Sequence, residues 1–445
     1  MKSISREEIL LSAKKENVSY IRLQFTDMLG TIKSVEVPVS RIKEVLDGKV
    51  MFDGSSIEGF VRIMEADMYL HPDYHTWIVL PFENLNGTRT ARLICDVYLP
   101  TGEPFKGDPR YVLKQEIEKM HEMGIENFNM GVEPEFYLLK EDEKGNATLD
   151  FSDSASYFDM GSIDQDFECR HDIVLELEKY GFSVEASHHE VGPGQNEVDF
   201  RYSNVLDCCD NIQTFKQVVH EVARKHHLVA TFMPKPVAFK AGNGMHVNCS
   251  LSDKEGNNLF YDPSQPFQLS MLCRKWINGI LKNSRGISAI TNPIVNSYKR
   301  IVPGYEAPCY ICWSDANRSS MIRIPEKRGE GTRTEIRNVD PAANPYLMAA
   351  CVLGSGLDGI KKDEPLIDAV YDNIFELTRE QREAQGIDNL PENLKDAVKE
   401  FKKSTLAKEV LGEHIFNKYI EAKSLEWDQY RVLVSDWEVA KYLKL

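Results

Sequence analysis

Met130-Gly131-Val132-Glu133-Pro134-Glu135-Phe136-Tyr137-Leu138-Leu139 is an apolar, strand-like run that carries two glutamates two residues apart. Side chains along a strand alternate between faces, so Glu133 and Glu135 share one. Adjacent carboxylates repel, and each is pushed towards its neutral form unless a cation lies between them. The ordinary alternative is a strand whose polar face meets water. Recurrence of the pattern decides between the two.

The pattern recurs. His188-His189-Glu190-Val191 leads through Gly192-Pro193-Gly194 into Gln195-Asn196-Glu197-Val198-Asp199-Phe200. Gly244 to Ser252 alternates apolar and polar residues, which puts His246, Asn248, Ser250 and Ser252 on one face. Arg333, Glu335 and Arg337 share a face in Gly331 to Arg337. From these four segments, five glutamates (Glu133, Glu135, Glu190, Glu197 and Glu335) and His246 are the candidate ligands. A hard, oxygen-rich set favours Mg²⁺ or Mn²⁺ over zinc, which prefers Cys and His. Six ligands suit two metal sites with water completing each. Arg300, Arg318, Arg323, Arg333 and Arg337 would then bind anionic substrates, since planar guanidinium forks match carboxylate and phosphate. A single arginine is more often a surface ion pair, and only the repetition weakens that reading. Carboxylates, a divalent cation and several arginines form the equipment for phosphoryl transfer.

The rest of the chain bounds this reading. Its 445 residues carry 53 Lys+Arg against 69 Asp+Glu, a net charge of −16, and allow two or three domains. Such acidity weighs against non-specific nucleic-acid binding. No apolar run reaches the roughly 18 residues of a membrane helix. The opening residues Met1 to Glu8 lack the apolar stretch of a signal peptide, so the expected location is cytoplasmic. Nine scattered cysteines argue against a disulfide framework, and the pair Cys309 and Cys312 reads as reduced cysteines in a loop. There is no phosphate loop, no G-x-S-x-G and no H-E-x-x-H. Gly354-Ser355-Gly356-Leu357-Asp358-Gly359 matches G-x-G-x-x-G, but it trails a helix-like segment opened by Asn344-Pro345, where a dinucleotide site needs a strand.

The first hundred residues read as a small α+β unit. Ser5 and Glu8 form a capping box. Ile21, Leu23 and Phe25 alternate with Arg22 and Gln24, as in a half-buried strand, and Leu29-Gly30 suggests a turn into a return strand at Ile32, Val35 and Val37. Trp77 to Leu80 and Leu93 to Tyr98 are further strand candidates, and Pro100 to Pro104 is the best linker candidate. Beyond it, amphipathic helices such as Arg110 to Met123 and Leu206 to His227 alternate with strands. The charge-rich stretch Arg379 to Lys403 reads as a solvated helical surface.

Two longer signatures add a family resemblance over essentially the whole chain. Phe52-Asp53-Gly54-Ser55-Ser56, followed by Glu65-Ala66-Asp67 and Leu70, is one. Lys235-Pro236-Val237, then Ala241-Gly242-Asn243-Gly244-Met245-His246 and Ser250, is the other. Both resemble type I glutamine synthetases, and Asn317-Arg318-Ser319 and Val302 to Pro308 fit as well. The resemblance implies an α+β fold: a small N-terminal β-grasp domain over 1–104, then a catalytic domain over 105–445 with a funnel of antiparallel strands flanked by helices. It implies that L-glutamate, ATP and ammonia give L-glutamine, ADP and phosphate through γ-glutamyl phosphate.

The resemblance also implies roles. Glu135, Glu190 and Glu197 would hold one Mg²⁺ or Mn²⁺, and Glu133, His246 and Glu335 the other, with a third cation accompanying ATP left open. Arg300 and Arg337, with Gly242, would hold glutamate. Arg318, Arg323 and Arg333 would meet the ATP phosphates, while Glu185, Asn248 and Ser250 line the nucleotide pocket. Glu306 would close a flap over the intermediate, and Asp53 would take a proton from ammonium. A dodecamer of two hexameric rings would share each site between neighbouring subunits.

Regulation follows from departures. Asp372-Asn373-Ile374-Phe375 stands where many bacterial members carry an adenylylated tyrosine, and phenylalanine has no hydroxyl to modify. That suggests the alpha subgroup, with glutamine feedback and protein regulators, among them nitrogen-responsive transcription factors reached without direct nucleic-acid binding. Asn248 stands where some members have a histidine. Two alternatives stay open: γ-glutamyl ligation to a larger amine, and glutamine sensing as a second role. Intact Asp53 and Glu306 favour ammonia.

Overall fold

The computed structural model describes residues 4–55, 57, 59, 67–304, 307–317 and 319–445. Strands β1 (Val18–Thr26), β2 (Ile32–Pro38), β3 (Val50–Asp53), β4 (Asp67–Glu83) and β5 (Arg89–Tyr98) form a five-stranded sheet in the order β2-β1-β5-β4-β3. Only the central β1–β5 pair is parallel. The capping box at Ser5 and Glu8 starts the helix Arg6–Lys15 as expected. The Gly30 turn also forms, with φ +89°, and a Cβ there would stand 3.1 Å from the Asn344 backbone.

Ile21, Leu23 and Phe25 are buried, but so is Gln24, which the alternation reading had facing water. The reason is tertiary. The helix Val205–Lys225 meets that second face, where the Gln213 amide donates to Thr26 Oγ1 (3.0 Å) and Gly30 O (3.1 Å). The expected linker at Pro100–Pro104 is a tight turn, closed by a 2.8 Å bond from Leu99 N–H to Glu103 O, and Phe105 packs back into the smaller core.

The remaining strands are β6 (Asn127–Glu141), β7 (Ala147–Phe151), β8 (Val184–His189), β9 (Gln195–Phe200), β10 (Ser203–Asn204), β11 (Leu228–Thr231), β12 (Met245–Ser252), β13 (Tyr310–Ile311), β14 (Trp313–Ser314), β15 (Ile322–Arg323), β16 (Thr334–Ile336) and β17 (Asp388–Asn389). Ten of them build one sheet with the path β14-β15-β16-β12-β6-β9-β8, while β7, β10 and β11 join β6. Every pair from β15 to β8 is antiparallel, and β14–β15 is parallel. Pro134 is tolerated within β6 because the ladder to β12 ends at it.

Helices cover the sheet's apolar face. The G-x-G-x-x-G stretch lies inside the helix Pro345–Lys361, where a Cβ on Gly356 would sit 2.0 Å from the Trp276 ring and one on Gly359 2.2 Å from Lys275 O. These glycines let two helices touch. Arg379 to Lys403 is not a single solvated surface. Gly386, at φ +70°, separates the helix Arg379–Ala384 from Leu394–Lys403, and the second helix buries Leu394, Ala397, Val398 and Phe401. All nine cysteines are free and buried. Among the described residues no helix is long and apolar enough to cross a membrane.

One ion cluster joins the two sheets. The Arg110 guanidinium reaches Asp73 and Asp96 of the smaller unit at 2.7 Å each, and Asp210 of the larger at 2.9 Å. Burial opposes the charge on Arg110, but the carboxylates outweigh it and hold its pKa well above the usual value. Arg110→Ala leaves three carboxylates without their shared cation. The expected loss is about 3–5 kcal/mol of unfolding free energy, read from urea denaturation. An unchanged midpoint would refute this assignment.

Candidate active site

Cross-strand register assembles the polar stripes. Glu133 on β6 faces His246 on β12, and Glu135 faces Glu197 on β9. Glu335 on β16 lies beside β12, opposite Asn248, and Glu190 lies in the turn between β8 and β9. The donor atoms of Glu133, His246 and Glu335 lie within 4.8 Å of one another, and so do those of Glu135, Glu190 and Glu197. His246 Nδ1 is 3.2 Å from Glu133 and 3.6 Å from Glu335.

Electrostatics sets the two groups apart. Burial raises the Glu133 carboxyl, but hydrogen bonds from His246 and Asn248 outweigh that and hold it at about 2. Glu197, with His188 Nε2 at 3.4 Å, behaves in the opposite way. Burial, with the charges of Asp199, Glu135 and Glu190, pushes it far above the ordinary carboxylate range. A buried, crowded, oxygen-rich donor set fits a hard divalent cation, which would relieve that repulsion. His188, Glu197 and Asp199 converge in the same way within 4.8 Å. Sequence reasoning assigned no role to His188 or Asp199, although Asp199 lies two residues from Glu197 on one strand, which is the available signal.

Two cavities flank these groups. The larger, about 1220 Å³, is lined by all six donors together with Gly242, Arg300, Arg323 and Arg337. The smaller, about 470 Å³, is lined by Glu185, Asn248, Ser250 and Arg333, and it shares Glu133 with the first. Arg323 and Arg337 contact Glu335 at 2.9 and 3.2 Å. Arg300 is buried and donates to the carbonyls of Asn338 (2.9 Å) and Arg337 (3.1 Å), so much of its fork is committed to backbone. Gly242 admits no side chain, since a Cβ would stand 2.7 Å from Pro234 O and 3.0 Å from Arg300.

Sequence reasoning overlooked Tyr157 and Phe239, which also line the larger cavity; Phe239 has φ +64° and lies 88% exposed. Phe375 lines it as well. Asp53 stands apart. It ends β3, is exposed, and lies outside both cavities. Hydrogen bonds from the Ser55 hydroxyl and, at 2.8 Å, the Ser55 N–H hold it below the usual carboxylate range. Glu306, Arg318 and the Glu65-Ala66 part of the first signature lie outside the described residues.

Residues 106–442 match the glutamine synthetase catalytic domain, and residues 17–100 match the glutamine synthetase beta-Grasp domain. The chain belongs to the glutamine synthetase family. Glutamine synthetases of Staphylococcus aureus and Staphylococcus epidermidis are each 55% identical to it over 443 residues, covering 100% of this chain and 99% of theirs. Among these relatives it is a glutamine synthetase of the bacterial type I kind. A solved structure titled "GmaS/ADP complex-Conformation 1" superposes with a TM-score of 0.88 at 30% identity, covering 98% of this chain and 99% of that one. The cryo-EM glutamine synthetase of Plasmodium falciparum shares the fold, with a TM-score of 0.87 at 24% identity over 99% of this chain and 100% of its own.

A carboxyl held above its unfolded value of about 4.3 binds its proton more tightly when folded. Its stabilising contribution is complete at low pH and is lost as pH rises. In EDTA, Glu197→Gln is therefore expected to raise the unfolding midpoint at pH 8 and to flatten its fall above about pH 5. It should also shrink the gain in midpoint on adding Mn²⁺. Equal gains for variant and wild type would show that Glu197 holds no cation.

Proposed function

We propose that this glutamine synthetase joins ammonia to L-glutamate at the expense of ATP, releasing L-glutamine, ADP and phosphate through γ-glutamyl phosphate. Membership of the family over nearly the whole chain supports the reaction. The observation that carries the site assignment is Glu133, which lines both cavities and so ties a nucleotide-sized space to the carboxylate-rich one.

Glu135, Glu190 and Glu197 would hold one divalent cation and Glu133, His246 and Glu335 a second, with a third accompanying ATP. Such ions neutralise phosphate charge when bound. The chain's own groups do the rest. Arg337 and Arg300, beside the Gly242 backbone, orient the glutamate carboxylates. Arg318, Arg323 and Arg333 spread the charge that develops on the transferred phosphoryl group. Glu185, Asn248 and Ser250 line the nucleotide space. An acyl phosphate hydrolyses if water reaches it, and Glu306 would serve to exclude water. Ammonium has no free electron pair, so Asp53 binds the cation and accepts its proton. Like any exposed aspartate it is a carboxylate at neutral pH and can hold a cation.

The position of Asp53 outside its own cavities supports a site completed by a neighbouring subunit, in a dodecamer of two hexameric rings. Val432, Leu433, Val434 and Trp437 are 68, 67, 73 and 62% exposed, an apolar C-terminal surface that assembly would cover. The same reading divides the chain into 1–104 and 105–445, supported by the turn at Pro100–Pro104. Free thiols at all nine cysteines support a cytoplasmic location. Phe375 at the cavity supports alpha-subgroup regulation by glutamine feedback and protein partners rather than adenylylation.

The test is phosphate release with ATP, Mg²⁺ and L-glutamate, run with ammonium and then with larger amines. Turnover with ammonium, lost in Asp53→Ala, is expected. Turnover only with a larger amine would overturn the ammonia assignment. The shared site has its own test. Asp53→Ala and Arg337→Ala, each inactive alone, are unfolded and reassembled as a mixture. Random mixing would restore about a quarter of wild-type activity, because one interface in four pairs two intact halves. No recovery in mixed oligomers would mean that each site is built from one chain.

A further inference from the structure

Asn248 sits on β12, between β6 and β16, where its direct cross-strand neighbours are Gly131 and Glu335. Gly131 has no side chain, so the amide reaches diagonally on both sides. Its Nδ2 donates to Glu133 Oε1 at 2.8 Å, and its Oδ1 accepts from Arg333 Nε at 2.8 Å. The orientation of the amide is dictated by its partners. A carboxylate needs a donor and a guanidinium needs an acceptor, and one amide supplies both. His246 takes the other Glu133 oxygen at 3.2 Å. Glu133 is therefore gripped from two sides, one of which leads directly to Arg333.

We infer that Asn248 is a positioning residue that locks the cation-facing carboxylate of Glu133 to the phosphate-facing guanidinium of Arg333, so that the two anion-handling groups move as one. The inference rests on the ATP-dependent reaction proposed above and deepens it, because Asn248 was expected there only as a wall of the nucleotide pocket. Glu133 lies on β6 and Arg333 immediately precedes β16, two strands that never pair, and Asn248 spans the strand between them. Chemistry ranks the replacements. Leucine keeps the size and loses both bonds. Aspartate can accept from Arg333 but cannot donate to Glu133, and it sets a second negative charge beside it. Histidine can donate through one ring nitrogen and accept through the other.

The experiment is a double-mutant cycle on the assembled protein with two readouts. Mn²⁺ affinity is measured by electron paramagnetic resonance without substrates, and kcat and KM are measured with ATP, glutamate and ammonium. Asn248→Leu should weaken Mn²⁺ binding on the order of 10-fold. It should lower kcat by about 10–100-fold while KM for glutamate moves less than about two-fold. Arg333→Lys should shift Mn²⁺ affinity in the wild-type background and leave it unchanged beside Asn248→Leu. Asn248→His should recover most of kcat, and Asn248→Asp should not. If Asn248→Leu fails to assemble, Asn248→Asp carries the same cycle. Additive effects, or a change confined to KM for ATP, would overturn the inference and leave Asn248 a simple pocket wall. Wild-type protein that makes no glutamine would instead overturn the function, while the Mn²⁺ cycle would still test the link.

Discussion

Glu135 and Glu197 face each other across one pair of strands, and the rest of the site is organised around that repulsion. A slip of one residue along β6 would separate the carboxylates, but it would also turn every β6 side chain to the opposite face. Val132, Phe136 and Leu138 would then leave the main core, where they are at most 2% exposed. Burying three such side chains contributes about 5–9 kcal/mol. The apolar face therefore holds the register, and the polar face is left with crowded charge that a cation can relieve. Core packing on one side of the sheet thus creates the electrostatic demand on the other.

The second structural demand is to keep the smaller sheet against the larger. Arg110 with Asp73, Asp96 and Asp210 does this through buried charge, and Asn344 adds amide bonds to Asp27 O (3.0 Å) and Met28 O (3.2 Å). These contacts grip the root of the smaller unit, while Asp53 at the far end of β3 remains exposed and away from the cavities. A firmly docked domain can thereby present a carboxylate outward, to a neighbouring molecule.

Much of this was legible in the chain. The period of two placed Glu133 with Glu135 and His246 with Asn248 and Ser250, because face assignment depends only on local backbone geometry, whereas Arg333 and Arg337 flank the short strand β16 and line different cavities. The helix start at Asn344-Pro345 was legible, although the helix runs on through Gly354–Gly359, which the sequence reading placed after it. Other features were hidden. Gln24 looked solvent-facing because its cover comes from a helix nearly two hundred residues away. Arg379–Lys403 looked solvated because its buried residues meet distant partners. Asn248 looked like a pocket wall because neither Glu133 nor Arg333 is near it in sequence.

The sequence by itself determined several of the strands, the shared faces of Glu133 with Glu135 and of His246 with Asn248 and Ser250, and the oxygen-rich chemistry of the donors. Those follow from residue type and backbone period, which act over a few residues. Tertiary structure alone decided the strand order β16-β12-β6-β9-β8, which brings together the two donor groups that residue chemistry and spacing could not sort. It also decided that one amide would stand between Glu133 and Arg333. The physical reason is that cross-strand neighbours are chosen by long-range packing of the apolar faces, and alternation within a strand carries no information about which strand lies alongside.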